Sequence, residues 1–181
     1  MKLNKFNDYL KDYYSILNKI DKIQLEKILI KLKSYNRKDK GNIWIFGNGG
    51  SHATSSHIAT DFTKNTKIKM STISDADQIT CFSNDYGYEN WISTALKKYA
   101  SKKDLVILVS SSGNSQNMIN AAKFCKNNRI FLITLTGFNK KNKLNPYGNL
   151  SLWINSKSYN FVELAHLQIL TYLVDKIAKI Y

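Results

Sequence analysis

Short apolar runs alternating with amphipathic segments constrain this chain more than any other feature. The runs are Ile43–Phe46, Ile68–Ile73, Leu105–Val109, Ile130–Leu135 and Leu150–Ile154. Between them, apolar residues recur at helical spacing and predict helices over 52–64, 76–83, 88–100 and 115–127. A last helix is expected over 161–180, with Phe161, Leu164, Ile169, Leu173 and Ile177 on its apolar face. Strand, helix, strand in repetition predicts a parallel sheet covered on both faces by helices. Ahead of it, apolar residues from Leu3 to Leu32 predict one or two amphipathic helices within 1–36, broken near Asp21. The polar stretch 36–42 then reads as a loop, and Thr136–Gly148 as a long surface loop. No internal repeat or composition shift marks a second domain. At 181 residues, 1–181 is expected to form one domain with a full core.

Composition excludes several classes. The net charge of +14 invites a nucleic-acid reading, but only Arg37 and Arg129 are arginine. Arginine is the usual choice for bidentate contacts to phosphates and bases. Lysines spread along the chain fit a solvated basic surface better than a nucleic-acid partner. Cys81 and Cys125 form no CxxC pair and read as reduced thiols of a cytoplasmic protein. The start, MKLNKFNDYLKDYY, lacks the apolar stretch of a secretory signal. No apolar run is long enough to cross a bilayer, so no membrane partner is expected.

In open parallel sheets ligands bind beyond the carboxyl ends of the strands, which directs attention to two loops. Gly47-Asn48-Gly49-Gly50-Ser51-His52 follows the first strand. Its glycines allow a tight turn and close backbone approach, and the next helix offers free N–H groups to an anion. It is not a dinucleotide fingerprint, since His52 stands where the last glycine would be, nor a P-loop with Gly-Lys-Ser/Thr; no nucleotide cofactor is expected. Ser110-Ser111-Ser112-Gly113-Asn114-Ser115 follows the third strand. Its hydroxyls read either as a neutral phosphate cradle or as a serine-rich helix cap, and capping needs only one of them.

Together, Gly47–Ser51 and Ser112–Ser115 resemble the paired signatures of SIS (sugar isomerase) domains. Asn84–Asn90 and Glu163-Leu164-Ala165-His166-Leu167 are similar to the sedoheptulose-7-phosphate isomerase, or phosphoheptose isomerase, branch. The resemblance implies an α/β three-layer sandwich with a five-stranded parallel flavodoxin-like sheet. It also implies a homotetramer with active sites between subunits, and aldose–ketose isomerisation of a phosphorylated sugar for lipopolysaccharide or capsule heptose. By the same resemblance, Ser51, Ser110, Ser111, Ser112 and Ser115 hold the phosphate, Gly49 and Gly50 bind the substrate beside them, and Asn48 and Asp85 face the sugar.

Isomerisation through an enediol needs a base and an acid on neighbouring atoms. The family uses a glutamate after the first loop and a histidine on the last helix; some members bind zinc with these, a nearby histidine and a glutamine. Carried over, the nearby histidine is His57, the glutamate is Asp61, the glutamine is Glu163 and the catalytic histidine is Thr171. Read without the resemblance, His57 and Asp61 are four apart and Glu163 and His166 three apart, each pair on one helical face. These residues form either a site for zinc or another divalent metal, or a surface pair beside a core histidine. The expectation is a catalytic set of Asp61, Glu163 and His166 and a metal set of His57, Asp61 and Glu163. The alternative suggested by Thr171 is a non-catalytic phosphosugar-binding protein acting through a protein partner, as in a family branch that associates with the replication initiator.

Overall fold

A computed structural model describes residues 4–36 and 41–181. Leu3 and positions 37–40 of the expected loop lie outside the described residues. Two helices lead the chain, α1 (Asn4–Asn18) and α2 (Lys22–Lys33). The expected break falls at Asp21, whose carboxylate caps α2 by accepting from the Gln24 N–H at 2.9 Å. The sheet follows: β1 (Ile43–Gly47), β2 (Met70–Ser71), β3 (Leu105–Ser110), β4 (Phe131–Thr136) and β5 (Leu150–Trp153). Between the strands run α3 (Gly50–Asn65), α4 (Ala76–Tyr86), α5 (Trp91–Tyr99) and α6 (Gln116–Asn127), and α7 (Tyr159–Ala178) ends the fold. All pairings are parallel and the order is β2-β1-β3-β4-β5, the flavodoxin-like arrangement.

Period-two alternation along the strands divides the core. Ile43, Ile45, Leu105, Ile107 and Val109 face α2, α3 and α7. Phe46, Val106, Leu108 and Leu132 face α5 and α6 on the other side. Both faces are therefore apolar, which is why the strands read as continuous hydrophobic runs. α1 docks on α7 through Tyr9 and Tyr13 against the Phe161 ring, at 4.7 and 5.8 Å, and through the Tyr13 hydroxyl donating to Gln168 Oε1.

Two expectations change. The run Ile68–Ile73 supplies only a two-residue edge strand. The Thr63 hydroxyl occupies both the N–H and the carbonyl of Met70, and Ile73 turns into the opposite core. The stretch after β4 is polar but not merely superficial, because Leu144 and Asn142 are buried. Asn142 replaces missing backbone pairing there: its Nδ2 donates to Thr136 Oγ1 and its Oδ1 accepts from the Leu144 and Asn145 N–H groups.

Candidate active site

β1 and β3 are neighbours whose connections leave on opposite sides, the switch point at which open sheets form a crevice. A cavity of about 300 Å³ lies there. The β1–α3 turn contributes Asn48, Gly49, Gly50 and Ser51, and the β3–α6 turn contributes Ser110, Ser111, Ser112 and Ser115. The N-terminus of α7 closes the third side with Tyr159 and Glu163.

The two turns are built to leave donors free. Gly49 adopts φ 54°, a left-handed conformation that glycine accepts without strain. Neither Gly49 nor Ser115 caps its helix with a side chain, so α3 and α6 both begin at the cavity with uncapped first turns. Ser110 Oγ accepts from the Gly113 N–H and Ser112 Oγ from the Asn114 N–H, each at 3.2 Å, which leaves both hydroxyl protons to donate. Ser111 is buried, yet its Oγ has no hydrogen-bond partner. A buried unpaired hydroxyl carries a desolvation cost that a ligand oxygen would offset. Among the described residues, no lysine or arginine lines the cavity. The cradle is neutral, and hydroxyls with helix dipoles supply its attraction for an anion.

Asn48 is held in place from two directions. Its Nδ2 donates to Asn117 Oδ1 at 3.0 Å, while its Oδ1 accepts from Asn117 Nδ2 at 2.8 Å and from the Tyr88 hydroxyl at 3.1 Å. Asn117 is buried inside α6. Sequence reasoning missed Asn117, Tyr88 and Tyr159. The available signals were an asparagine inside a helix, which intrinsic propensity disfavours, and an aromatic just ahead of the expected last helix.

Among the described residues, Glu163 carries the only carboxylate lining the cavity. It sits against Gly50, where a Cβ would collide with its carboxylate oxygens. The remaining expected site residues lie elsewhere. His166 is fully buried, with its Nε2 3.3 Å from the Thr136 carbonyl and its Nδ1 unpartnered. Burial pulls its pKa down to about 4, partly opposed by that carbonyl. Such an imidazole is neutral near pH 7 and belongs to the core, not to the cavity wall. Asp85 is exposed on α4, accepting from Asn84 Nδ2 and lying 3.7 Å from Cys81 Sγ. The 84–90 segment reaches the cavity rim through Tyr88 instead.

The SIS-domain family model matches residues 8–137. The phosphoheptose isomerase of Cytophaga hutchinsonii is 34% identical over 143 residues, covering 76% of this chain and 74% of the relative. That of Fusobacterium nucleatum is 31% identical over 162 residues, covering 87% and 82%. The chain belongs to the SIS-domain family, in its phosphoheptose isomerase branch. A solved phosphoheptose isomerase from Francisella tularensis shares the fold of this SIS domain, with a TM-score of 0.86 over 99% of each chain at 20% identity.

The residues expected from the resemblance to carry acid–base chemistry in this SIS domain are distributed unevenly. His57 and Asp61 lie on α3, with Nε2 and Oδ2 3.3 Å apart and His57 58% exposed. They pair with each other and do not line the cavity that holds Glu163. Among the described residues, no three His, Cys, Asp or Glu side chains gather closely enough to hold a metal ion. His57 and Asp61 pair on α3 while Glu163 lines the cavity, so the single chain does not bring the three together. Thr171, which the sequence resemblance set against a catalytic histidine, donates its hydroxyl to the Leu167 carbonyl at 3.0 Å, the usual back-bond of a helical threonine. Among the described residues, no helix is long and apolar enough to cross a membrane.

Proposed function

We propose that this chain is a phosphosugar aldose–ketose isomerase that takes sedoheptulose 7-phosphate to its heptose 7-phosphate isomer, in heptose synthesis for lipopolysaccharide or capsule. The observation that carries the reading is the meeting of the serine cradle and the Glu163 carboxylate in one cavity. The phosphate docks at the first turns of α3 and α6, with Ser51, Ser110, Ser111, Ser112 and Ser115 donating to its oxygens. That anchorage points the sugar chain toward Tyr159 and α7 and brings the carbonyl end under Glu163. Glu163 removes the proton from the carbon beside the carbonyl and returns it to the neighbouring carbon of the enediol. Proton transfer by a positioned carboxylate contributes about 10²- to 10⁴-fold in rate.

The chain acts as a homotetramer, and a neighbouring subunit completes the crevice. In that assembly the exposed His57–Asp61 pair supplies the second acid–base group, and Asp85 faces the sugar from the α4 side. The names and identities of the phosphoheptose isomerase relatives support the reaction class.

The deciding experiment incubates the purified protein with sedoheptulose 7-phosphate and follows the product by NMR. Glu163→Gln is expected to reduce turnover at least 100-fold while ligand-induced thermal stabilisation persists. Undiminished turnover in that variant removes Glu163 from the mechanism. Binding without turnover in the unmodified protein favours the second reading, a phosphosugar-binding protein without chemistry. The specific support for that reading is Thr171, whose hydroxyl is committed to Leu167.

A further inference from the structure

Charge along this chain is segregated. The 104 residues up to Asp104 mix 18 lysines and arginines with 11 carboxylates, whereas the 58 residues between Asp104 and Glu163 hold seven cations and no carboxylate. Four of those seven, Lys123, Lys126, Arg129 and Lys143, line two adjoining cavities of about 500 and 450 Å³. The cavities share Lys126, Pro146 and Tyr147 and so form one groove. Its floor is a stripe of α6, Gln116, Ile119, Lys123 and Lys126, at spacings of three and four that keep one helical face. Ten steps of helical rise from Gln116 to Lys126 make the stripe roughly 15 Å long. Tyr147 is half-buried in the middle, with Lys126 Nζ 5.7 Å from its ring centroid.

Among the described residues, neither ion pair that is formed, Lys11–Asp8 or His57–Asp61, gives a carboxylate to any of the four cations. A merely solvated surface would show the mixed signs found elsewhere in the chain. An unpaired row of cations with one aromatic ring matches an extended anion of several charges. Nucleic acid fits less well, because single-strand binding uses successive aromatic platforms and the groove has one.

We infer that the α6 groove is a second ligand site, separate from the serine cradle, for a small molecule carrying a polyphosphate chain. The phosphates lie along Lys143, Lys123, Lys126 and Arg129, and Tyr147, midway along the row, is available to a planar group attached to the phosphates. The segment that carries Lys143 also braces the serine cradle. The Lys143 N–H donates to Asn114 Oδ1 and the Leu144 N–H to the Gly113 carbonyl, at 3.2 and 3.0 Å. A ligand drawn onto Lys143 therefore acts on the loop that holds Ser110–Ser115.

Calorimetric titration of the full chain with inorganic triphosphate and with ATP, both without magnesium, tests this site whether or not the isomerase reading holds. The expected result is binding that weakens at least tenfold in Lys123→Glu/Lys126→Glu at an unchanged melting temperature. Amide NMR shifts are expected to move at 123–129 and 143–149 before any change at 48–51. ATP tighter than triphosphate, with the gap abolished by Tyr147→Ala, identifies a nucleoside polyphosphate; equal affinities identify the phosphate chain alone. No binding of either probe at millimolar concentration, full affinity in the double variant, or shifts confined to the Asn48–Ser51 turn would overturn the inference.

Discussion

His166 makes stability sensitive to acid in a way that can be measured apart from every other group. The imidazole is 1% exposed, its Nε2 faces the Thr136 carbonyl, and nothing accompanies its Nδ1. Burial lowers its pKa from the ordinary 6.5 to about 4. Above pH 6.5 both the folded and the unfolded chain carry the neutral ring, and His166 contributes no pH dependence. Between 6.5 and about 4 only the unfolded chain takes up the proton, so stability falls as pH falls, by about 1.4 kcal/mol per pH unit. Below about 4 both states are protonated and the loss is complete. The interval amounts to on the order of 3 kcal/mol, a large share of the 5–15 kcal/mol typical of a folded domain. Urea denaturation from pH 7.5 to 4 on the unmodified chain and on His166→Leu isolates the effect, because the two chains differ at that residue alone. Leucine leaves the Thr136 carbonyl with its sheet partner, the Ile154 N–H at 2.8 Å. The stability difference between the two chains is expected to move by roughly 3 kcal/mol in favour of the variant as pH drops. A difference that stays flat within about 0.5 kcal/mol would refute the claim that the folded core holds this ring neutral.

Three further predictions follow from single contacts. Gly50→Ala gains about 0.5–1 kcal/mol of helix propensity, yet its Cβ meets the Glu163 carboxylate, so turnover should fall at least tenfold while the melting temperature holds or rises. Asn117→Leu removes both amide partners of Asn48 without touching the cavity wall, and turnover should fall about tenfold while Asn117→Asp, which keeps one of the two bonds, falls less. Asp104→Ala, far from the cavity at the start of β3, strands four donors (the Asn42 and Ser101 N–H groups, Trp44 Nε1 and Ser101 Oγ) and should cost about 3 kcal/mol in urea denaturation.

Much of the fold was legible because the strands here are buried on both faces and the helices are not. Leu105–Val109 is apolar at every position, a pattern that only a central strand or a buried helix supports, and its length decides for the strand. β2 was over-read because hydrophobicity reports burial, not pairing: Ile68 and Ile73 are both buried, yet only Met70 and Ser71 pair with β1. The glycine and serine turns were legible as the loops that meet at one cavity because their residue types are local. His166 was not, since spacing on α7 states which residues share a face but not whether that face meets the cavity or the core. One turn separates Glu163 from His166, and α7 delivers the first to the cavity and the second beneath Thr136.

On the proposed reading, a chain of net charge +14 takes its phosphate without a cation in the cradle. Glu163 stands in the same cavity as the serine cradle, and a lysine there would form an ion pair with it and withdraw it from proton transfer. Hydroxyls and helix N-termini attract the phosphate through partial charges that compete far less for the carboxylate. The lysines are displaced to the outer surface, where they raise the local concentration of anionic ligands from a distance. The neutrality of the cradle and the strong charge of the rest are thus one arrangement. An arginine or lysine introduced at Ser112 or Ser115 should tighten the binding of inorganic phosphate and at the same time depress turnover. If both rose together, the carboxylate would not be working free of its partners and the division of labour argued for Glu163 would fail.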